Sequence, residues 1–548
     1  MSTLVRTCSL SSAISFALAA GTLHAATITV DSADDNPAST YCNLRDALQA
    51  IKDGSVTNVP TCIGAVDGAA FGTNDTVSFA EVLGGATITL SQGSLLLIGS
   101  SITIKGSAQT IDAAKQSGVF ETGTNLAFAF SHLYLTGGAN VGNGGGGVSV
   151  GAGSSAEFVD CTISGNNTKG NGGGLYAGPS ATVTFVDSTV SGNVGEMGGG
   201  IFANYASVFV TNSVVAYNEA RYSGGAIHSE GAPLALNTAT IRQNTAQKLS
   251  GGIVSFFGTL DVSHSTITGN SGGLAGGILA SASSGAIAAS TISGNTAACG
   301  YFCAGAAVLR DSTFTISGST LSGNLAAGHA TNVSGGALLS NSTATFVNST
   351  LTGNVGVGNG QVSGAAWEFQ FTGDGLTFIN STISNNTAVA FYGKAAGGVL
   401  LGSVDFSPPP ITNEKLTLSN TIVSANTPAD SDLAWDPYGS TLSAAYSVLG
   451  SAQNVAEFND PGDHNIFSDS PGLGPLMDNG GPTKTRALLP DSPALRTGSR
   501  ALAAFAGQPL NYDQRGLSYL RDFSGSVDIG AFQDQGDRPL ANGFEPVP

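Results

Sequence analysis

One six-residue phrase constrains this chain more than any other feature. Cys161-Thr-Ile-Ser-Gly-Asn166 is followed by Ser188-Thr-Val-Ser-Gly-Asn193, and related phrases end at Asn218, Asn244, Asn270, Asn295, Asn324, Asn354, Asn386 and, less cleanly, Asn426. Successive spacings are 27, 25, 26, 26, 25, 29, 30, 32 and 40 residues. Paired glycines follow at a similar offset, as in Gly173-Gly174-Leu175, Gly199-Gly200-Ile201 and Gly251-Gly252-Ile253. Each phrase alternates polar and apolar residues over about four positions and then meets a turn residue, the pattern of a short strand. A period near 26 residues holding two or three such strands fits one rung of a right-handed parallel β-helix, in which rungs stack at about 4.8 Å. Ten rungs make a rod of about 48 Å. Helical solenoids are excluded by the glycine content and the lack of long amphipathic runs. A propeller shows longer blades with their own signatures.

Side-chain alternation assigns roles within the rung. With Ile292 pointing inward, Thr291 and Ser293 point outward. The asparagines Asn166, Asn193, Asn218, Asn244, Asn270, Asn295, Asn324, Asn354 and Asn386 recur once per rung at a corner, where they can stack into an amide ladder. The paired glycines allow close backbone approach. A β-helix exposes apolar interior at both ends and so requires caps. Leu44, Ala47, Leu48 and Ile51 fall on one face of a helix over 43–53, with Asn43 as its N-cap. Beyond Asn426 the repeat fades into an irregular C-terminal cap.

Composition bears on compartment and partner. Of 548 residues, 77 are glycine, 41% are hydrophobic and only 10% are charged, which excludes wholesale disorder. The net charge of −18 excludes nucleic acid and polybasic membrane contact, both of which need clustered lysine and arginine. Arg6, the apolar stretch Ala13 to Ala20 and the small residue Ala25 read as a secretory signal peptide over 1–25. No later apolar run reaches the roughly 18 residues that would span a bilayer. In an oxidising compartment, the flanking pair Cys42 and Cys62 and the same-loop pair Cys299 and Cys303 can form two disulfides, leaving Cys161 unpaired. Cysteine-ligated zinc is the weaker alternative, because no second cysteine pair or histidine stands at ligand spacing from Cys299.

Several motifs resemble known families. Tyr41-Cys42-Asn43-Leu44-Arg45-Asp46-Ala47 resembles the Cys-Ser-Leu-Arg-Glu-Ala motif at the N-terminus of exported bacterial β-helix proteins. Gly224-Gly225-Ala226-Ile227 resembles the Gly-Gly-Ala-Ile repeats of polymorphic outer-membrane proteins. Asp478-Asn479-Gly480-Gly481-Pro482-Thr483, Leu488-Leu489-Pro490-Asp491-Ser492-Pro493-Ala494, Asp513-Gln514-Arg515-Gly516 and Asp528-Ile529-Gly530-Ala531-Phe532 resemble the choice-of-anchor Q region that ends bacterial surface β-helix proteins. The polymorphic outer-membrane proteins carry a large C-terminal barrel, whereas 16 residues follow Phe532 here. The end, Gly543-Phe-Glu-Pro-Val-Pro548, looks like the short tails of some exported Gram-negative proteins. The resemblance implies an exported surface β-helix and names no substrate.

Enzymes built on this fold draw their chemistry from charged residues. A glycoside hydrolase needs two carboxylates flanking the bond. Asp160 and Asp187, 27 residues apart, are candidates for stacking on adjacent rungs at about 5 Å, where like charge would raise one pKa. Asp34-Asp35 is the only Asp-Asp pair, and Gly328-His329-Ala330 comes nearest to a Gly-His-Gly motif. A lyase would hold calcium with carboxylates beside a basic residue; Glu196, Glu219 and Arg221, with Glu230, Arg242 and Lys248, form the candidate patch. Lys169, Glu196 and Arg221 each follow their asparagine by three residues with alternating sign, which equally describes a surface ion-pair ladder. His132, His228, His264 and His329 read as lone surface histidines, and His464 lies in an Asp/Asn-rich turn over 460–465 that could take calcium. No cofactor is expected outside that lyase reading.

A third class is surface recognition. Thr162/Ser164, Thr189/Ser191, Thr266/Thr268, Thr291/Ser293, Thr320/Ser322, Thr350/Thr352 and Thr382/Ser384 form an outward hydroxyl column, interrupted at Val214/Ala216 and Arg242. Such an array can contact glycans, although the β-propensity of threonine explains it equally.

The sequence therefore divides into a signal peptide (1–25), an N-terminal cap with the first rungs (26–139), β-helix repeats (140–426), a choice-of-anchor Q-like region (427–533) and a tail (534–548). The expected role is that of a structural or adhesive protein, secreted or held at the bacterial surface or outer membrane, with the periplasm as the other compartment, contacting polysaccharide or cell-surface glycan. A polysaccharide lyase or glycoside hydrolase acting in a lateral groove is the alternative.

Overall fold

A computed structural model describes residues 25–36, 38–67, 69–139, 144–300, 302–329, 332–369, 375–402, 415–428, 431–434, 441–451 and 463–536. The expected signal peptide apart from Ala25, most of the expected 534–548 tail, Ala330, residues 460–462 of the acidic turn and the side chain of Cys299 lie outside the described residues.

The central rungs share a common set of stations. Around residue 160 these are a five-residue strand (Ser155–Val159), a one-residue bend at Asp160, a three-residue strand (Thr162–Ser164), a corner at Gly165-Asn166, a loop, the glycine pair Gly173-Gly174, and a last strand (Leu175–Ala177). We call these strands the first, second and fourth columns. A third column, formed where the loop is extended, includes Val194–Met197 and Glu219–Ser223. Rung pairs with rung in parallel and in register: Thr162 with Thr189, Thr189 with Val214, Leu175 with Ile201. Among the described residues the first and second columns join a 28-stranded sheet and the fourth forms a 13-stranded sheet. The chain is a parallel β-helix.

Alternation within the strands builds the core. Inward residues of the first, second and fourth columns, such as Phe158, Ile163 and Leu175, are buried in one continuous apolar cluster. Phe130, Phe158 and Phe185 stack in file with ring centroids 4.8 and 5.1 Å apart, so one inward position is filled by a self-complementary aromatic column, and Phe120 of the fourth column packs tilted against Phe130 at 5.2 Å. Ile292 is fully buried between Ile267 and Leu321 of the neighbouring rungs.

Two polar files run through this apolar rod, and both are saturated with hydrogen bonds. Asn193 Nδ2 donates to Asn218 Oδ1 (3.0 Å) and to the Ile163 carbonyl (2.9 Å), while Asn193 Oδ1 accepts from the backbone N–H and Nδ2 of Asn166. The same pattern continues to Asn386 and Asn426. Asp432 ends the file by accepting the N–H of Asn426 (2.9 Å) and its Nδ2 (2.7 Å). A second file follows each bend: Ser188 Oγ accepts the N–H of Cys161, Ser213 Oγ that of Ser188, Ser290 Oγ that of Ser265 and Ser319 Oγ that of Ser290. Each hydroxyl also donates to a carbonyl two residues back, as Ser188 does to Val186. Buried polar groups are tolerated only when paired, and these files pair corner backbone that the strands leave free. Cys161, buried and unpaired, occupies the serine position of its rung; burial raises its thiol pKa to about 11.

The glycine pairs serve close approach. A Cβ on Gly225 would lie 2.3 Å from the Gly251 carbonyl and 2.5 Å from that of Thr245, so the loop can return over the next rung only without a side chain there.

At the N-terminal end, helix α1 (Leu44–Asp53) buries Leu44, Ala47, Leu48 and Ile51, with Asn43 Oδ1 accepting the Asp46 N–H (2.9 Å) and Gly54 closing the helix at φ 61°. Cys42 is bonded to Cys62. Cys303 is disulfide-bonded as well. Asp35, the second residue of the Asp-Asp pair, is buried and holds Arg45 through two hydrogen bonds of 2.8 and 3.1 Å; it is a structural carboxylate. Among the described residues no helix is long and apolar enough to cross a membrane.

Among the described residues, the C-terminal region does not close the end of the rod as the sequence suggests but reaches along its flank. Residues 471–536, with the antiparallel pair Leu473–Met477 and Thr485–Leu488, lie against the outward face of the second column from Gly318 to Asn420. Fully buried Arg521 anchors the contact by donating to the carbonyls of Gly530 and Ala531 and to Asn348 Oδ1 at 2.8 to 2.9 Å. Burial pushes its guanidinium pKa down to about 10.

Candidate functional site: the outward strip of the second column

The second column carries Thr162/Ser164, Thr189/Ser191, Val214/Ala216, Thr240/Arg242, Thr266/Thr268 and Thr291/Ser293 outward in unbroken register. The N-terminal neighbour in the same register is Tyr134/Thr136, where Tyr134 is exposed. These side chains remain part-exposed, apart from Ala216, which is buried. The hydroxyl column does not stay open along its whole length, as the sequence suggests. Thr320, Thr350, Thr352, Thr382 and Ser384 point outward from the sheet yet are buried beneath residues 471–536. There the hydroxyls are engaged: Thr320 Oγ1 donates to the Lys484 carbonyl (2.6 Å), Thr350 Oγ1 to Gln514 Oε1 (2.6 Å), and Thr382 Oγ1 accepts the Ala531 N–H (3.0 Å).

The open strip ends in a cleft of about 340 Å³ where the C-terminal region begins, between Thr291, Ser293, Thr320 and Ser322 on the rod and Asp478, Pro482, Thr483 and Lys484 above it. At mid-strip, Arg242 lies with its guanidinium carbon 4.8 Å from the centroid of Tyr217 and donates to the Tyr217 hydroxyl (2.5 Å). Tyr217 takes a left-handed conformation (φ 57°) at a corner that is glycine in the neighbouring Gly165, Gly192, Gly269 and Gly294. The open strip thus offers hydroxyls that donate and accept, one exposed aromatic edge and one cation.

The candidate acidic residues fall on different elements. Asp160 and Asp187 occupy the left-handed bend between the first and second columns (φ 50° and 51°), a file that also holds His132, Asn212 and His264. Short polar side chains tolerate this conformation, which accounts for their presence. Each carboxylate turns to a different neighbour: Asp160 lies 3.4 Å from His132 Nε2, and Asp187 accepts from Asn212 Nδ2. Glu196, Glu219 and Arg221 lie in the third column, on the far side of the second-column strand. The Lys169–Glu196–Arg221 ion-pair ladder does not form. A register shift between Gly195 and Met197 displaces Glu196, and Arg221 donates instead to the Thr168 carbonyl (2.7 Å) and Asn167 Oδ1 (3.1 Å). The structure does not bring these five residues into one groove. Among the described residues no group of three or more metal-ligating side chains converges.

The histidines separate in the same way. His132 and His264 are bend residues, and His464 stacks on Tyr446 with centroids 4.7 Å apart. His228 is not a surface residue. It is buried between Phe202 and Phe256, with Nδ1 2.7 Å from Ser223 Oγ and Nε2 3.1 Å from Glu230 Oε1. That hydrogen bond holds the Glu230 carboxyl below its usual range. The signal for burial was the recurrence of Tyr176, Phe202 and His228 at one register position.

The family comparison agrees with this architecture. The family model described as "Right handed beta helix region" matches residues 87–260, and the protein is a right-handed parallel β-helix. Among solved structures, the chain is similar to the crystal structure of pectate lyase Pel9A at 11% identity, covering 93% of this chain and 98% of that one with a TM-score of 0.26; a likeness that slight carries no functional weight. No curated protein matches the sequence.

Proposed function

We propose that this chain is an exported, surface-associated bacterial β-helix protein of structural and adhesive role, holding polysaccharide or cell-surface glycan along the open strip. The observation that carries the reading is the register of the part-exposed hydroxyls between Thr162 and Ser293, ending at the Asp478–Lys484 cleft. Sugar hydroxyls pair with groups that both donate and accept, and a rigid sheet presents such groups without ordering cost at the moment of binding. The resemblance of the N-terminal motif to exported bacterial proteins and of 478–532 to the choice-of-anchor Q region supports the surface location. The charge of −18 favours neutral glycans over acidic ones.

The test is titration of the purified chain against a panel of neutral and acidic polysaccharides, alongside Thr266→Glu and Thr291→Glu, with product length followed in the same tubes. Saturable binding that falls at least tenfold in both variants, with chains left intact, is the expected result. Equal binding by the variants would remove the strip from the account, and shortened chains would replace adhesion with catalysis.

A further inference from the structure

We infer that the corner formed by Tyr205, Gly231 and Phe257 is a separate site that stacks a neutral hexopyranose ring, with Glu230 accepting one of its hydroxyls. It lies between the fourth and first columns, away from the strip, and does not depend on the strip's role.

The observation is a mismatch between residue and backbone. The corner position is left-handed in successive rungs: Ser180, Tyr205, Gly231, Phe257, Ala282, Asp311 and Asn341 all have φ between 49° and 68°. Glycine, asparagine and aspartate suit it, whereas a bulky aromatic there is strained. Tyr205 and Phe257 accept that strain and are nevertheless 56% and 68% exposed. Left-handed strain in a side chain that stays more than half exposed points to a role beyond packing.

The two rings stand on either side of Gly231 along one corner file. Gly231 lies in the rung between them, and a Cβ there would stand 2.2 Å from Cδ1 of Tyr205, so the tyrosine ring lies across that glycine. Phe257 follows one rung on, its centroid 6.3 Å from that of Phe256. The platform spans three rungs, about 10 Å at the interstrand spacing. That length suits one pyranose, and two side chains fall far short of the roughly 800 Å² per partner of a stable protein interface.

Glu230 precedes Gly231 in the chain and borders the platform. Oε1 is fixed on His228 Nε2, itself held through Nδ1 by Ser223. Oε2 takes no hydrogen bond from the described residues, and the side chain is 29% exposed. An ionised carboxylate accepts and does not donate, so it pairs with a sugar hydroxyl and repels an anionic sugar. Asn204, one rung earlier in register, is positioned by its 3.0 Å bond to the Tyr176 hydroxyl.

The test uses saturation-transfer NMR on the full chain with methyl β-glucopyranoside, methyl β-galactopyranoside, methyl α-mannopyranoside and N-acetylglucosamine. At least one should receive saturation at the ring hydrogens of its apolar face. The affinity should fall at least tenfold in Tyr205→Asn/Phe257→Asn and by less in Glu230→Gln. Because asparagine suits the left-handed corner, the double variant should melt no lower than the parent. No saturable binding by any of the four probes, equal binding by the double variant, or a lower melting temperature that assigns the rings to packing would each overturn the inference.

Discussion

The outward row of threonine and serine divides into two stretches with the same strand pairing and opposite surroundings. From Thr162 to Ser293 the strip faces solvent, while from Thr320 to Ser384 it lies under residues 471–536. The difference resides in the partner and in the bend beside the strip. Beside the open stretch the bends are His132, Asp160, Asp187, Asn212, Thr238, His264 and Ala289; beside the covered stretch and at its edge they are Gly318, Asn348, Asn380 and Asn420. Asn348 and Asn420 point their amides at the C-terminal region, to the Tyr512 and Ser499 carbonyls. A repeated hydroxyl motif is therefore neutral with respect to fate, and a neighbouring amide that can both donate and accept lets an irregular segment dock. The covered stretch also shows that these hydroxyls make hydrogen bonds of 2.6 to 3.0 Å once a partner arrives.

The strongest way to break the comparison is to undock the C-terminal region. Arg521→Ala removes three buried hydrogen bonds from a charged group and leaves a void, for an expected loss of about 4 kcal/mol in docking. Hydrogen exchange should then accelerate over Thr350–Thr352 and Thr382–Ser384 while Thr162–Ser191 remains unchanged. Unaltered exchange in the covered stretch would show that something other than this region protects it.

A smaller effect lies where the asparagine file, common to both stretches, ends. Burial raises the Asp432 pKa from 3.8 to about 6, so the folded chain binds a proton more readily than the unfolded one. The penalty for the ionised form is full above pH 6, fades as pH falls, and is gone below 3.8. Asp432→Asn keeps the acceptor for Asn426 and removes the buried charge. It should stabilise the chain by about 3 kcal/mol at pH 7 and by almost nothing near pH 3.5, measured as a melting-temperature difference at the two pH values. A gain that persisted in acid would point to packing instead of charge.

The smallest effect sharpens the contrast most directly. Thr350→Val deprives Gln514 of a buried donor and should cost about 1–2 kcal/mol. Thr266→Val at the equivalent open position should stay within about 0.5 kcal/mol. Equal costs, compared by denaturant midpoint, would show that the two stretches are energetically alike.

Much of the rod is readable in the chain itself. The Cys/Ser-Thr-x-Ser-Gly-Asn phrase carries alternation and corner within six residues, and α1 carries its Asn43 cap and apolar face in Leu44, Ala47, Leu48 and Ile51. The serine file was also within reach, since Ser188, Ser213, Ser265 and Ser290 each precede the second-column strand. The burial of His228 was harder to see, because the aromatic stack that encloses it is a property of three rungs. The ion pairs of Lys169, Glu196 and Arg221 failed for a local reason: the register shift between Gly195 and Met197 displaces Glu196 and breaks the stacking that equal spacing implies.

Local repetition determined the parallel rod, its inward and outward faces and its file of corner amides, because each rung repeats the same short-range alternation and turn chemistry. Which hydroxyls stay open, which bends become docking points and which aromatics stand exposed on a left-handed corner were decided by tertiary structure. Those outcomes depend on a segment more than a hundred residues downstream and on what the adjacent rung lacks, and neither is encoded within a single repeat.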